Sequence, residues 1–426
     1  MSLPTPRPAS ALPLAQLRLS GALIVTSSMG IRHGFGLWLQ PITMDRGWTR
    51  EQFAFALAVQ NLSWGVAGLF AGMLADRFGA YRVLLAGGLL YALGLSLMAL
   101  APTAIAFTAS AGVVLGMAQA GTTYAVVYGV IGRNVSDPAK RSWAMGVTAA
   151  AGSFGQFLMV PVESGLISGL QWGAVNLPGL GWQNALFVLS GMALLILPLA
   201  RFLREPALEA GTSRPRQTIG GALREAFGYR PFQLLMAGYF VCGFQVVFIG
   251  VHMPSYLKDQ GLSPQVATVA LALIGLFNVF GTYAAGSLGQ RIQKRYILSA
   301  IYFSRAVAIV LFVTAPLTPW SVYLFRAVMG LLWLSTVPPT NAVIAQIFGV
   351  QYLSMLGGFV FLSHQIGSFM GVWLGGLLYD AYGSYMPVWW ISVALGVFAG
   401  LINLPVRETA ISRPAAPTGA AAGAGL

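Results

Sequence analysis

The chain has 426 residues, of which 57% are hydrophobic and only 8% charged, with 24 Lys and Arg against 11 Asp and Glu. A soluble domain carries about 25% charged residues, so this composition excludes a soluble globular fold and marks a protein that crosses a membrane repeatedly. The net charge of +13 raises nucleic acid as a partner, which the placement of the basic residues argues against below; the single cysteine, Cys242, excludes an intramolecular disulfide and a cysteine-based metal site.

Residues 1–18 are Pro-rich and lack the apolar core of a cleavable signal, so they read as a cytoplasmic N-terminal segment. Apolar runs follow at 19–42, 52–74, 82–101, 103–131, 143–166 and 184–203, and again at 232–256, 265–289, 296–316, 319–346, 353–379 and 385–405. Each approaches or exceeds the roughly 20 residues that cross a bilayer. The expectation is an all-α membrane protein of twelve transmembrane helices in two pseudo-symmetric six-helix bundles, 19–203 and 232–406. The linker 204–231 is cytoplasmic, and its stretch Thr218-Ile-Gly-Gly-Ala-Leu-Arg-Glu-Ala-Phe reads as a short surface helix. The tail 407–426, rich in Ala, Gly and Pro, reads as disordered.

Topology follows from charge. Only Arg46, Arg50 and Lys258 fall on the face opposite the termini, while Arg32, Arg305 and Arg326 lie inside spans and every other Lys and Arg falls on the termini face. The positive-inside rule then puts both termini in the cytoplasm of a cell-membrane protein, whether plasma or bacterial inner membrane. The basic excess is topological rather than a nucleic-acid footprint.

The two halves repeat one another. Asp45-Arg-Gly-Trp-Thr49 is echoed by Asp259-Gln-Gly-Leu-Ser263, and the same gap-free offset carries Gly72-x-Leu74-x-x-Arg77 onto Gly286-x-Leu288-x-x-Arg291. Thr49 with Gln52 spells a capping box, and Ser263-Pro264 supplies an N-cap and a first-turn proline. Parallel bundles related by an axis along the membrane normal produce this kind of repeat.

The first span holds the least expected residue. Arg32, followed by His33, interrupts the run 19–42 at a cost of about 2.5–3.5 kcal/mol on insertion scales. None of the acidic residues sits centrally in a span, and Glu163 and Asp380 fall near helix ends. A buried cation without a carboxylate is costly, and an anionic ligand in a watery cavity resolves it. The guanidinium stays charged and grips a carboxylate through two parallel hydrogen bonds. Ser28 lies one turn earlier on the same face, whereas His33 points about 100° away.

At Gly72-Met-Leu-Ala-Asp-Arg-Phe-Gly-Ala-Tyr-Arg82 the sequence resembles the loop between the second and third helices of the major facilitator superfamily. The resemblance implies secondary transport by rocking of the two halves, with Gly72, Asp76, Arg77, Gly79 and Arg82 as a conformational latch. The second copy has Gln290 where the first has Asp76. Phe35-Gly-Leu-Trp-Leu-Gln-Pro-Ile after a cation, and His252-Met-Pro-Ser-Tyr-Leu-Lys-Asp-Gln-Gly-Leu-Ser263, are similar to the monocarboxylate and oxalate/formate transporter group. A departure stands beside that: Gly275-Leu-Phe-Asn-Val-Phe-Gly-Thr282 in span 8 lacks the charged pair of the eukaryotic members.

In that fold helices 1, 4, 7 and 10 line the cavity. The implied substrate-binding set is Arg32, Tyr124, Tyr128, Asn278, Arg326 and His364, and the proton-coupling candidates are His33, His252 and His364, since histidine titrates near neutrality. Gln245, His252 and Tyr256 share a face of span 7, His364 and Ser368 a face of span 11, and Asn61 and Gln156 add flanking amides. Taken singly, each of these residues suits an interhelical hydrogen bond more than a ligand contact. Arg305, on a peripheral helix, reads as structural, and Pro338-Pro339 should break span 10. The expected partners are a small organic anion, a co-transported proton and the bilayer, with no nucleic acid, no cofactor and a monomeric state. Rival readings are an exporter of drugs or neutral solutes with Arg32 structural, or an intramembrane enzyme. The first would want a buried acid for cationic drugs, and the second a metal-ligand spacing that the three histidines lack. No phosphate-binding Gly-x-x-x-x-Gly-Lys-Ser/Thr motif is present, which argues against ATP-driven pumping.

Overall fold

The computed structural model describes residues 12–135, 137–172, 175–205, 219–349 and 353–411. The expected N-terminal segment before residue 12, linker residues 206–218 and the tail from 412 lie outside the described residues. Among the described residues, twelve helices are long and apolar enough to cross a membrane. They are α1 (Leu14–Leu37), α2 (Arg50–Ala75), α3 (Ala80–Leu100), α4 (Ala104–Asn134), α5 (Trp143–Ser168), α6 (Gly181–Arg201), α7 (Arg230–Asp259), α8 (Pro264–Leu288), α9 (Lys294–Thr314), α10 (Pro319–Phe348), α11 (Met355–Tyr382) and α12 (Met386–Asn403). The linker contributes the expected short helix, Ile219–Gly228.

The helix ends follow the sequence signals in most places. Thr49 and Gln52 form the reciprocal capping box at the start of α2. Gly47 and Gly261, equivalent in the repeat, both adopt positive φ, 65° and 80°, where a side chain would be strained. Ser263 sits at the N-cap of α8 but its side chain makes no cap bond. Two features depart from the sequence reading. Span 1 starts at Leu14, and its helix tightens into a 3-10 turn at Phe35–Leu37 before a second segment, Leu39–Arg46. The loop between α5 and α6 carries an antiparallel hairpin, β1 (Gly169–Trp172) with β2 (Val175–Pro178), which no sequence signal announced.

Within each half, α1 packs on α5 and α7 on α11; between the halves, α2 packs on α11 and α5 on α8. Close approach needs small residues, as expected without a hydrophobic drive between helices in lipid. Gly275 of α8 lies against the Ser153 carbonyl and the Phe157 amide of α5, where a Cβ would collide.

The face opposite the termini is tied shut across the halves. Arg50 at the start of α2 makes a bidentate pair with Asp259 at the end of α7, at 2.6 and 2.7 Å. Its guanidinium also stacks on Tyr379 at 3.8 Å. Asp380 of α11 accepts the Arg50 and Glu51 amides at 3.3 and 2.7 Å, so a carboxylate of one half caps a helix N-terminus of the other. Gln40 donates to Asp259 and Trp373 to Glu51, each at 3.1 Å. The Arg50 and Asp259 side chains are only 14% and 23% exposed, so the pair exceeds the ~0–1 kcal/mol of a fully solvated one. Tyr385 accepts from Arg50 at 2.9 Å, and burial pushes its hydroxyl above the usual tyrosine range, keeping it a donor as well.

Nearer the middle, Thr268 donates to Ser164 (2.8 Å), Gln156 to the Leu271 carbonyl (3.3 Å) and Asn278 to Ser153 (2.8 Å). These bonds, with the Arg50 cluster, join the halves from the face opposite the termini as far as the Asn278–Ser153 pair. Asp259→Ala should therefore loosen the closed face. Spin labels at Met44 and Gln260 report it: the distance distribution should broaden to longer values in the variant, and an unchanged distribution would mean the Arg50 cluster does not hold that face.

Candidate functional site

Three of the helices expected to line a cavity lose regular geometry along their length. In α1 the break follows Arg32 and His33, which occupy the last turn of Leu14–His33. Arg32 is thus at a helix end, where the partial negative charge of the carbonyls favours a cation, rather than central in an unbroken span. In α4, a π-helical stretch at Thr108–Val114 precedes a break at Thr123, with Tyr124 opening the next segment. In α10, the helix stops at Leu332 and resumes at Val337 with Pro338 and Pro339 in its first turn.

The α10 break exposes carbonyls that need partners, and Arg305 supplies them. Fully buried, it donates from Nη2 to the Leu332 and Trp333 carbonyls, both at 2.6 Å, from Nε to Leu332 at 3.2 Å, and from Nη1 to Gln245 at 3.4 Å. Asn278 holds the other edge of the break, its Oδ1 accepting the Leu334 amide at 3.0 Å and the Thr282 hydroxyl at 3.1 Å. Arg305→Ala should strip a charged donor from two buried carbonyls and lower stability by about 3 kcal/mol, read as a fall in melting temperature in detergent. Arg305→Lys should recover only part, because one ammonium cannot span the same acceptors; a melting temperature equal to wild type in the Ala variant would refute the assignment.

Arg32 is held differently. Nη2 donates to Asn61 Oδ1 at 2.6 Å, and the guanidinium lies over the Trp64 ring at 4.7 Å. Nε is buried without a partner, and no carboxylate forms an ion pair with this arginine among the described residues. Ser28 has turned to α4, bonding Thr122 at 2.9 Å. Arg32 borders a space of about 30 Å³ between the halves, with His33, Gln60 and Asn61 on one wall and Val247, Gly250 and Trp333 on the other. That is the room of about one water, so a carboxylate enters only as the walls part.

His33, expected to point away from Arg32, borders the same space. Its Nδ1 lies 2.6 Å from the Met29 carbonyl, which only accepts, so Nδ1 carries the proton and Nε2 is left for the cavity. Tyr124 and Tyr128 stand one turn apart, ring centroids 5.5 Å, both half-buried.

The remaining candidates lie elsewhere. Arg326 is fully buried between α10 and α7, donating from Nη2 to the Ile249 carbonyl at 3.3 Å with Nε and Nη1 unpartnered. Asn278 is committed to the α5–α8 contact and the α10 break. Gln245, His252 and Tyr256 do share a face of α7, but that face packs into the second half: Gln245 donates to the Ser392 carbonyl at 2.9 Å, and Tyr256 meets Trp389. His252 Nε2 donates to the Val372 carbonyl at 2.7 Å, leaving Nδ1 to accept from Tyr385 at 3.3 Å. His252 therefore belongs to the closure at the opposite face rather than to the cavity. His364 donates from Nδ1 to Gln365 at 3.2 Å. It stacks on Phe361 at 5.9 Å, which meets Trp64 at 5.2 Å, so it reaches Arg32 only through two intervening rings. In the loop after α2, Gly79 takes φ 87° and Arg77 lies over Phe78 at 5.3 Å, with Arg82 exposed and Gly72 half-buried; the Asp76 side chain is outside the described residues.

The burial of one titratable group escaped the sequence reading. Glu163, expected near a helix end, is completely buried on α5. Oε2 accepts the Trp38 indole N–H at 3.1 Å and Oε1 has no partner. The carboxyl rests against Gly34, where a Cβ would overlap it. Position near a helix end said nothing of the neighbour that covers it; the paired glycines after His33 were the available signal. The intramembrane chain thus does contain a buried acid, enclosed between α1 and α5 rather than opening on the cavity.

Residues 21–324 match the sequence model of the Major Facilitator Superfamily. The chain belongs to that superfamily. Monocarboxylate transporter 13 of Rattus norvegicus is 25% identical over 354 residues, covering 80% of this chain and 76% of that protein. The oxalate:formate antiporter of Oxalobacter formigenes is 23% identical over 374 residues, covering 85% and 84%. A bacterial homologue of the human lysosomal transporter Spinster has the same fold, with a TM-score of 0.74 at 16% identity over 92% of this chain and 96% of that one. Major facilitator proteins are transporters, and this chain has the twelve-helix fold of the superfamily.

Proposed function

We propose that this protein is a secondary active transporter of a small organic anion of the monocarboxylate type, working by alternating access. The observation that carries the reading is the Arg32 guanidinium at the seam of the two halves. It is held by an amide and an indole, with one buried nitrogen unpartnered and no carboxylate bonded to it. A carboxylate docking there gains charge-assisted bonds in a site that otherwise lacks a counter-ion. His33 Nε2, on the same space, offers a further contact, and Arg326 adds a second under-partnered cation in the other half. Because the two walls of the space come from different halves, an anion bridging them favours the arrangements in which both can reach it. The distant likeness to a monocarboxylate transporter and an oxalate:formate antiporter supports the same substrate class. With the termini in the cytoplasm, as the basic loops imply, the closed face is the outer one and the arrangement is inward-directed. Transport is proton-coupled or by anion exchange, in a monomer at the cell membrane.

Uptake of labelled short monocarboxylates into proteoliposomes, with thermal stabilisation of the purified protein, tests the site. Arg32→Ala should abolish both while the protein stays folded, and Arg32→Lys should retain weak activity, having charge without the planar fork. At a hundred times the dissociation constant the wild type should gain about 2.7 kcal/mol from ligand. An Arg32→Ala protein that transports an organic anion with wild-type affinity would end the assignment.

A further inference from the structure

Among the described residues, Glu163 is the one buried carboxyl of the membrane spans, and the mechanism above has no use for it. An ionised carboxylate taken out of water costs several kcal/mol unless it is paired and fully hydrogen-bonded. Here a single indole N–H approaches it, Oε1 faces no donor, and it makes no ion pair. The groups around it do not change this. Arg32 and His33 on α1 direct their bonds to Asn61, Trp64 and Met29 and none to Glu163, and Tyr91 on α3 donates its hydroxyl to the Ser28 carbonyl. The segments of α6 and α8 that pack on α5 carry no charged side chain near it, Tyr283 of α8 standing at the far end. Lys140 belongs to the opposite end of the α5 helix.

The carboxyl is also flanked by contacts that join the two halves. Its neighbour Ser164 accepts from Thr268 of α8 at 2.8 Å. Gly36, two residues from Gly34, packs on the Gly250 and Val251 carbonyls of α7, and the fully buried Trp38 follows it. The carboxyl is covered from its own half, by Gly34 and Trp38; separating the halves at the face opposite the termini would break both flanking contacts and release the Gly34–Trp38 turn that keeps water from it.

We propose that Glu163 is the coupling-proton site. The proton adds to Oε1 as the opposite face closes over the carboxyl, and returns to water when that face opens. The proposal rests on the transporter reading for its role in a cycle, but the chemistry is a property of the carboxyl and its cover, whatever the cargo. By linkage, protonation favours the closed arrangement, so acidification shifts the population toward it, by up to tenfold per pH unit where one proton is exchanged.

The test is the Met44–Gln260 spin-label distance against pH, in full-length protein without any cargo. Wild type should move toward the short distance as pH falls. Glu163→Gln, a permanent neutral isostere, should hold the short distance at all pH and lose the slope, whereas Glu163→Asp should keep a slope. A Glu163→Gln protein with the wild-type pH slope would overturn the proposal and assign the titration elsewhere. If the Gln variant does not fold, infrared difference spectra of wild type and Glu163→Asp decide. A protonated-carboxyl band that grows on acidification and shifts in the Asp variant supports the site, and a band that is absent or does not shift overturns it. Since no anion is added, failure here leaves the Arg32 assignment standing, and failure of Arg32 to bind anions leaves this result unaffected.

Discussion

A charged side chain within a bilayer is tolerated only where something replaces its water, and the three intramembrane arginines of this chain show three degrees of replacement. Arg305 is fully provided for, with carbonyls and an amide oxygen meeting its donors at the α10 break. Arg326 has one carbonyl, at 3.3 Å. Arg32 has one amide and one indole face. A hydrogen bond to a charged group contributes about 1.5–3 kcal/mol and a cation–π contact about 0.5–2 kcal/mol. Together they offset the insertion cost of roughly 2.5–3.5 kcal/mol while leaving donors of a five-donor group unused. Arg32 is thus stable enough to stay where it is and incomplete enough to bind.

The rest of the architecture serves that incompleteness. Breaks in α1 and α10 leave Arg32, His33 and Trp333 at the seam between the halves, and Arg305 with Asn278 stabilises the α10 break by satisfying its backbone. The cation site is formed by walls from both halves, while the opposite face is tied by Arg50, Asp259 and Asp380. Moving one half against the other would change the Arg32 space and the closure together, which is what the proposed alternating access requires. Glu163 lies beside this closure, between Trp38 and the Ser164–Thr268 contact.

Much of the fold was legible because lipid imposes length and composition on every span. The Thr49 capping box and the Pro338-Pro339 break were readable from local chemistry alone, while the repeat paired Gly47 with Gly261 without saying that both take positive φ. The site was less so. Periodicity grouped Gln245, His252 and Tyr256 on one face of α7, but a polar face looks the same whether it meets a cavity or the carbonyls of α11 and α12. Arg32 and His33 were expected to diverge as on an ideal helix, and the turn after His33 brings both to one space. Glu163 was judged by its distance from a helix end, whereas burial depends on Trp38 and Gly34 across the α1–α5 contact, which is tertiary information.

The account stands on a carboxylate being what completes Arg32. Equilibrium binding to the purified wild-type protein, comparing short monocarboxylates with their uncharged amides of the same shape, measures this without transport or mutation. The carboxylates should bind at least about tenfold more tightly, the equivalent of roughly 1.4 kcal/mol for the charge-assisted contact. Amides binding as tightly as the acids, or binding confined to cations, would contradict it.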